Sequence, residues 1–365
     1  RPFLFAFTFS DLFFLAGIAF APNLFFLLLA YCLLQFSSNL AHGPYQGLLS
    51  DLVPVERRGR AASVKQFLET AGIIAVAVIM PIIFSNARAV ESNAQTALGL
   101  ATIILVGTML ATVARVREPI TTAPTAREKF FFDPRAALRA ARQFARANPN
   151  FVWLIATRWC TLGALALLGN YAQFYFQKVL FADVADLNLQ IQSAVKLQGE
   201  LLTGLVLALI GFTLIAGPLS DRIGRRPVVA FGSLLAGAGA LELLFSHNTP
   251  LVQFSFFTLT DLHAGGLLIG IGMGFFTSAN WAWAIDLAPR EQGGKFLGLT
   301  NLATAGATVV TSLFGPIISF LNARDAGSGF TLMFFVALIG FFLGAVLLGN
   351  VKETAGKKSP IANGK

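Results

Sequence analysis

The run Gly217–Pro227 reads GPLSDRIGRRP, and its spacing of Gly, Asp, Arg and Pro is a specific pattern. Gly217 permits a neighbouring helix to approach closely, Gly224 allows a tight reversal, and Asp221 can cap the start of a helix. An ordinary basic turn would explain the arginines but not the spacing of glycine, aspartate and proline. The run therefore predicts a specialised turn between two helices.

The composition on either side of this run is that of a membrane protein. The chain has 365 residues, of which 55% are hydrophobic, 12% are charged and 36 are Phe. A soluble globular protein carries about 25% charged residues, and the mean hydropathy here is +0.69. Soluble globular, disordered, collagen-like and disulfide-framework proteins are excluded on these counts.

Ten segments are long and apolar enough to cross a bilayer, which takes about 20 residues in a helix. Backbone groups in lipid must be hydrogen-bonded within the protein, so the predicted fold class is all-α and polytopic. The predicted spans are 3–21, 23–50, 62–85, 96–114, 151–178, 200–219, 228–246, 262–285, 297–321 and 328–350.

The basic residues are divided unevenly between the two sides of these spans. One side receives 22 of the 27 Lys and Arg residues, and Arg158 lies within a span. This asymmetry predicts that the basic side and the C-terminal tail are cytoplasmic, with the protein in the plasma membrane. The net charge of +9 then reflects orientation and attraction to anionic lipid rather than nucleic-acid binding.

The longest hydrophilic segment, 115–150, separates the first four spans from the last six. Its second part places Leu138, Ala141, Phe144 and Ala145 on one helical face, with arginines elsewhere. This pattern suits an amphipathic helix on an anionic membrane surface; a solvated linker helix is the alternative. The predicted regions are 1–114, a remainder of the N-terminal bundle; 115–150, a central cytoplasmic loop; 151–351, a C-terminal six-helix bundle; and 352–365, a tail.

An internal repeat relates the two halves. The segment 51–60 reads DLVPVERRGR and 286–295 reads DLAPREQGGK, so that Asp, Leu, Pro, Glu, Gly and a final basic residue coincide without gaps. Parallel repeats predict two pseudo-symmetric bundles around one central path. The first half then lacks a counterpart of 151–225, so we expect ten of twelve helices, the first two being absent. The repeat-loop residues singled out are Asp51, Arg57, Gly59, Arg60, Asp286 and Gly294.

The run 217–227 resembles the signature loop of the major facilitator superfamily, G-x-L-x-D-R-x-G-R-R-P. With the repeat included, the resemblance covers essentially the whole chain and implies two six-helix bundles working by alternating access. It implies that Asp221 and Arg225 help to latch the bundles together on the cytoplasmic side. The matching residues are Gly217, Asp221, Arg222, Gly224, Arg225 and Arg226.

A narrower likeness lies in 39–52, which reads NLAHGPYQGLLSDL. It resembles the helix-four segment N-x-x-x-G-P-x-R-x-L-x-x-D-L of plant-type sucrose transporters and glycoside–pentoside–hexuronide symporters. Gln46 replaces the arginine associated there with sugar binding. The likeness implies a sugar or glycoside as cargo, and the replacement leaves another small solute open.

Polar residues within the spans predict a substrate path. Asn39, His42 and Gln46 recur on one helical face, and polar groups in lipid must face protein or water. Hydrogen bonding between helices is the alternative for this stripe, and an aromatic belt is the alternative for Trp281. The predicted path residues are Asn39, His42, Gln46, Asn170, Gln173, Asn280 and Trp281.

Ionisable residues within spans are costly in lipid and suggest proton coupling. Glu69 is the first choice and Arg158 its partner, because each lies about 10 Å into its span from the cytoplasmic side. Asp11 ranks second. A permanent salt bridge or a water-exposed acid at a wide cavity mouth is the alternative.

These features together predict a secondary active transporter for a small polar solute, coupled to protons, and not an enzyme. The sequence has no metal-ligand spacing, no G-x-x-x-x-G-K-[ST] loop and no nucleophile elbow, so no cofactor is expected. A monomer is expected. The alternatives are a non-transporting membrane assembly or binding protein of the same fold and, more weakly, a drug efflux pump.

Overall fold

The computed structural model describes residues 2–54, 57–84, 90–115, 134–253, 258–289 and 292–352, and these residues are mostly helical. The α-helices are α1 Pro2–Ala19, α2 Leu24–Leu52, α3 Arg58–Phe84, α4 Val90–Arg115, α5 Pro134–Ala147, α6 Pro149–Tyr175, α7 Leu187–Ile223, α8 Arg225–Phe245, α9 Asp261–Leu287, α10 Gly293–Ser312, α11 Phe314–Arg324 and α12 Ser328–Leu347. The strands are β1 Pro250–Gln253 and β2 Thr258–Thr260.

The helices have the length and surface of membrane spans. Within the described residues, α6, α7, α8, α9, the pair α10–α11 and α12 are long and apolar enough to cross a bilayer. Shorter apolar stretches lie in α1, α2 and α4. Large apolar side chains such as Phe13, Phe320 and Phe342 are exposed, as a lipid-facing surface requires. The predicted polytopic helical fold is confirmed.

Helix α9 is the centre of the C-terminal half. It packs along α7 on one side and α8 on the other, while α12 packs against α6 and α8. Trp283, Phe276 and Met273 of α9 are fully buried. In the N-terminal half, α1 packs on α2 and α4. The two halves meet where α3 lies on α7 and α9, and where α2 lies on α10.

Helix α7 begins well before the predicted span at 200. Asp186 caps its first turn, because its Oδ1 accepts hydrogen bonds from the backbone N–H groups of Asn188 and Leu189 at 2.8 and 3.4 Å. The apolar pattern marks only the part of a helix that faces lipid. The prediction therefore missed the polar first turns of α7.

The predicted span 297–321 is divided into α10 and α11 near Pro316. Proline has no backbone N–H, so the carbonyl of Ser312 loses its helical donor. The Tyr171 hydroxyl of α6 donates a hydrogen bond to that carbonyl at 2.7 Å. The break is thus compensated by a side chain of a neighbouring helix.

A short antiparallel hairpin of β1 and β2 precedes α9. Asp261, the first residue of α9, holds the preceding loop. Its carboxylate accepts hydrogen bonds from the backbone N–H groups of His247 and Thr249 at 3.0 and 3.1 Å, and from the Thr249 hydroxyl at 2.8 Å. The hairpin lies in the connection between α8 and α9.

Helix α5 is the amphipathic helix predicted in 115–150, and its one aromatic residue contacts protein. The ring of Phe144 lies 6.1 Å from that of Phe151 on α6 and 5.0 Å from that of Phe296 on α10. The Lys295 ammonium lies 5.4 Å from the Phe144 ring. Phe144 therefore fixes α5 to the basic end of the C-terminal half. The side chain of Leu138 lies outside the described residues.

Candidate functional site between the two halves

Four charged side chains join the halves at the basic end of the helices: Arg58 on α3, Asp221 on α7, Arg225 on α8 and Asp286 on α9. We call these four residues the inter-bundle network. Arg58 Nη1 donates to Asp286 Oδ1 at 3.2 Å and to the Ile285 carbonyl at 3.1 Å. Arg225 Nε donates to Asp286 Oδ2 at 3.0 Å, and its Nη1 pairs with Asp221. Asp286 thus lies between one arginine from each half.

Asp221 caps the first turn of α3, in the other half of the molecule. Its Oδ1 accepts the N–H of Gly59 at 3.1 Å and its Oδ2 accepts the N–H of Arg60 at 3.3 Å. A carboxylate at a helix N-terminus satisfies unpaired N–H groups and is stabilised by the helix dipole. The sequence indicated that Asp221 can cap a helix but not which helix it caps. The next helix along the chain, α8, is preceded by Gly224 and not by Asp221.

The glycines of the run 217–227 have the two roles that the sequence indicated. Gly224 has a φ of +99°, which turns the chain sharply between α7 and α8. Gly217 lets α7 touch α3: a Cβ atom there would lie 2.5 Å from the Gly59 carbonyl oxygen and almost on the Ser63 hydroxyl. Any side chain at Gly217 would hold the two halves apart at the basic end.

The remaining residues predicted around these loops do not enter the network through their side chains. Arg57, Arg60, Arg222 and Arg226 are exposed, and Arg60 contributes its backbone N–H alone to the contacts described above. The residue that the prediction missed is Arg58, whose side chain is only 4% exposed. The side chain of Asp51 and the surroundings of Gly294 lie outside the described part of the structure.

A second polar group lies deeper between the halves, and we call it the central polar cluster. It consists of Lys65 and Glu69 on α3, Arg158 on α6, Asn280 and Trp281 on α9, and Thr304 on α10. Arg158 Nη1 donates to Asn280 Oδ1 at 2.8 Å, and Arg158 Nε donates to the Thr304 hydroxyl at 3.1 Å. Lys65 forms an ion pair with Glu69, one helical turn further along α3.

The indole of Trp281 lies between the two cations of the cluster. The Lys65 ammonium is 4.3 Å from the ring centroid, and the Arg158 guanidinium carbon is 5.2 Å from it. Both distances are those of cation–π contacts. Lys65 comes from the N-terminal half, and Arg158 and Trp281 from the C-terminal half. The indole therefore connects charged groups across the interface.

The cluster lies deeper between the helices than the inter-bundle network. Glu69 is 11 residues beyond the start of α3 and Arg158 nine beyond the start of α6, which places them about 16 and 14 Å from these helix ends by helical rise. The Ser63 and Ser278 hydroxyls, 2.9 Å apart, add a further contact between α3 and α9.

The structure brings some of the predicted site residues together and leaves others apart. Glu69, Arg158, Asn280 and Trp281 share the cluster, although Glu69 forms its ion pair with Lys65 and not with Arg158. Asp11 is buried on α1. The other predicted path residues are Asn170, exposed on α6, Gln173, half-buried there, and Asn39, His42 and Gln46 on α2, whose side chains lie outside the described residues.

Two members of the cluster were missed. The sequence analysis counted Lys65 with the basic loop, yet α3 begins at Arg58 and places Lys65 in its second turn. The spacing of Lys65 and Glu69 by four residues was an available signal, because such pairs lie on one helix face. Thr304 carried no signal, since threonines recur along α10 and only packing distinguishes them.

The comparisons with known proteins agree with this architecture. The family model of the Major Facilitator Superfamily matches residues 1–195 and 183–364. The chain therefore belongs to the Major Facilitator Superfamily, a family of membrane transporters, and no catalytic activity is indicated.

Curated relatives match over part of their length. The chain is 26% identical over 147 residues to the minor myo-inositol transporter IolF of Bacillus subtilis, covering 40% of this chain and 31% of that protein. It is 26% identical over 129 residues to the multidrug resistance protein MdtH of Salmonella arizonae, covering 35% and 30%. The chain thus matches about a third of the length of these relatives.

Solved structures match almost the whole chain. The proton:xylose symporter XylE superposes with a TM-score of 0.68 at 15% identity, over 96% of this chain and 80% of that one. The transporter FucP in the outward conformation gives 0.67 at 14% identity, over 97% and 82%. The human organic anion transporter MFSD10 gives 0.70 at 16%, over 95% and 76%. At these identities the likeness shows the fold alone.

Proposed function

We propose that the protein is a secondary active transporter that moves a small polar solute by alternating access, with the central polar cluster as part of its binding site. The observation that carries this proposal is the cluster itself. Charged and hydrogen-bonding groups from both halves converge there, and ionisable groups within membrane helices are costly and therefore usually serve a function. A solute bound there would contact both halves and could bias their relative position.

The inter-bundle network acts in this proposal as the gate on one side. With the basic end cytoplasmic and the C-terminal tail on the same side, the described arrangement is closed to the cytoplasm. Opening the gate requires the separation of Arg58 from Asp286 and of Asp221 from the first turn of α3. Both are charge-assisted contacts, and both involve only the region where the halves meet.

Glu69 is the proposed proton-coupling group. Its carboxylate is paired with Lys65, and Arg158 lies in the same cluster on the other half. Protonation of Glu69 would dissolve that ion pair and leave Lys65 free to interact with a solute. The rearrangement of the halves would change the distance between the Glu69 carboxylate and the Arg158 guanidinium.

The solute is proposed to be a sugar, a glycoside or a related polar compound, transported at the plasma membrane. The likeness of 39–52 to the sucrose and glycoside–pentoside–hexuronide branch supports a sugar-like compound. The names of the relatives support transport of a small molecule without deciding which, because they include an inositol transporter and a multidrug resistance protein.

A counterflow assay tests the proposed function. Proteoliposomes containing the full chain are loaded in turn with unlabelled sugars, polyols and organic acids and then diluted into the same labelled solute. Transport predicts accumulation of at least one label above that in protein-free liposomes, with saturation at high concentration. If a folded, correctly inserted protein exchanges none of them, the alternative of a non-transporting membrane protein replaces this proposal.

A further inference from the structure

We infer that the solute bound in the central polar cluster carries a carboxylate group. This inference rests on the proposed function and narrows it, since the sequence alone suggested a sugar or glycoside and left other small solutes open. It depends on the balance of charge and of hydrogen-bond donors in the cluster. Both are fixed by described side chains from α3, α6, α9 and α10.

The charge balance of the cluster is positive. Lys65 and Arg158 are cations and Glu69 is the single acid, and this acid is already paired with Lys65. Among the described residues Arg158 has no carboxylate within salt-bridge distance, and its hydrogen-bond partners are the neutral Asn280 and Thr304. Glu69 is close enough to act on Arg158 as well as on Lys65, but one acid leaves the two cations with a net positive charge. Excess charge within a membrane protein is costly, and an anionic solute would balance it.

The cluster also has more donors than acceptors. A guanidinium group has five N–H donors, and contacts to described residues use Nε and Nη1 of Arg158. Among the described residues, the buried Asn280 Nδ2 and Trp281 Nε1 atoms have no hydrogen-bond partner. A carboxylate offers two oxygens and about four acceptor positions, and it suits the planar fork of an arginine. A neutral sugar, which donates as well as accepts, would leave the positive charge uncompensated.

The geometry gives the solute a defined surrounding. Its carboxylate would lie against Arg158, and its apolar or ring portion would lie against the face of Trp281, which both cations already approach. Lys65, on the opposite half, would contribute a second positive charge once Glu69 is protonated. An anion could then stabilise the approach of the halves by attracting a cation from each.

Three matched pairs of solutes test this inference by titration calorimetry on the purified full chain. The pairs are D-glucuronate with D-glucose, D-galacturonate with D-galactose, and succinate with 1,4-butanediol. In each pair the first member carries a carboxylate and the second does not. At least one carboxylate should bind tenfold or more tightly than its neutral partner. Arg158→Gln should lose that preference by tenfold or more, whereas Glu69→Gln, which removes the repelling charge, should strengthen carboxylate binding.

The control variant is Arg142→Gln, which removes an exposed arginine of α5 and should leave binding unchanged. Opposite effects of Arg158→Gln and Glu69→Gln cannot come from a general loss of folding. Equal affinity within all pairs, or no binding of any of the three carboxylates, would overturn the inference. Counterflow of a neutral sugar with no exchange of carboxylates would refute it while leaving the proposed transport function intact.

Discussion

Replacement of Gly217 by alanine should open the basic end of the molecule. The added Cβ would lie 2.5 Å from the Gly59 carbonyl oxygen of α3. A serine hydroxyl such as that of Ser63 can rotate away, but a helix carbonyl moves only with its helix. Helices α3 and α7 must therefore move apart at Gly217, which disfavours the closed arrangement.

The size of the effect follows from the contacts that this separation breaks. Restoring ordinary van der Waals distance requires a movement of about 1 Å, which would stretch the 3.1 Å bond from Gly59 to Asp221 beyond hydrogen-bond range. Loss of one hydrogen bond to a charged group costs about 1.5–3 kcal/mol, and overpacking costs about 1–3 kcal/mol. A combined cost of about 2.5–6 kcal/mol changes the ratio of closed to open molecules roughly 60- to 20,000-fold.

Electron–electron distance measurements between spin labels provide the assay. The labels are placed at Arg57→Cys and Arg222→Cys, both exposed and on opposite halves, after Cys32 and Cys160 have been replaced by alanine. Gly217→Ala should shift the distance distribution to longer values in lipid nanodiscs. The wild type should retain a population at the short distance.

Gly211→Ala is the matched control, because it lies on the same helix and an added Cβ there meets nothing within 4 Å. Both variants gain helix propensity to the same extent, so only the contact with α3 differs. Gly59→Ala, whose Cβ would collide with Asp221, approaches the interface from the other side and should act like Gly217→Ala. Unchanged distances in both interface variants, with normal gel-filtration behaviour, would refute the reasoning.

Three further predictions follow from the same contacts. Arg58→Gln should shift the label distances toward the open state and lower the unfolding temperature, because it leaves Asp286 with one arginine fewer and a broken buried pair costs about 3–5 kcal/mol. The exposed neighbour Arg60→Gln, which keeps its backbone N–H, should change neither. Glu69→Gln should abolish uptake driven by a pH gradient while gradient-free exchange survives; equal loss of both would remove Glu69 from coupling. Single cysteines at Ser193 and Ser359 should react with a membrane-impermeant maleimide from opposite sides of intact cells, and labelling of both from outside would contradict the cytoplasmic assignment of the basic end.

The helical fold could be predicted from the sequence because each span carries its own signal. Apolar runs of sufficient length identify membrane helices without knowledge of their neighbours. The signal for the turn at Gly224 was also local, because glycine supplies the positive φ that this reversal needs. The errors at this level have local physical causes too: the polar first turns of α7 lie beyond the apolar pattern, and Pro316 divides the predicted span 297–321.

The candidate site could be predicted only in part, because its contacts join distant segments of the chain. Asp221 and Gly59 are 162 positions apart, and Arg58 and Asp286 are 228 apart. Composition cannot distinguish Arg57 from Arg58, yet one is exposed and the other is buried between the halves. The signature loop predicted contacts between the two halves, and the packing of α3 against α7 and α9 determines which side chains form them.

We expect cargo to cross the membrane through the central polar cluster, and exchange by matched variants measures whether it does. Wild type, Arg158→Gln and Arg142→Gln are reconstituted at equal density, and counterflow of the same labelled solute is measured in each. The wild type and Arg142→Gln should both show saturable exchange. Arg158→Gln should show at least a tenfold rise in half-saturation concentration or lose exchange. Indistinguishable exchange by all three folded proteins would contradict it.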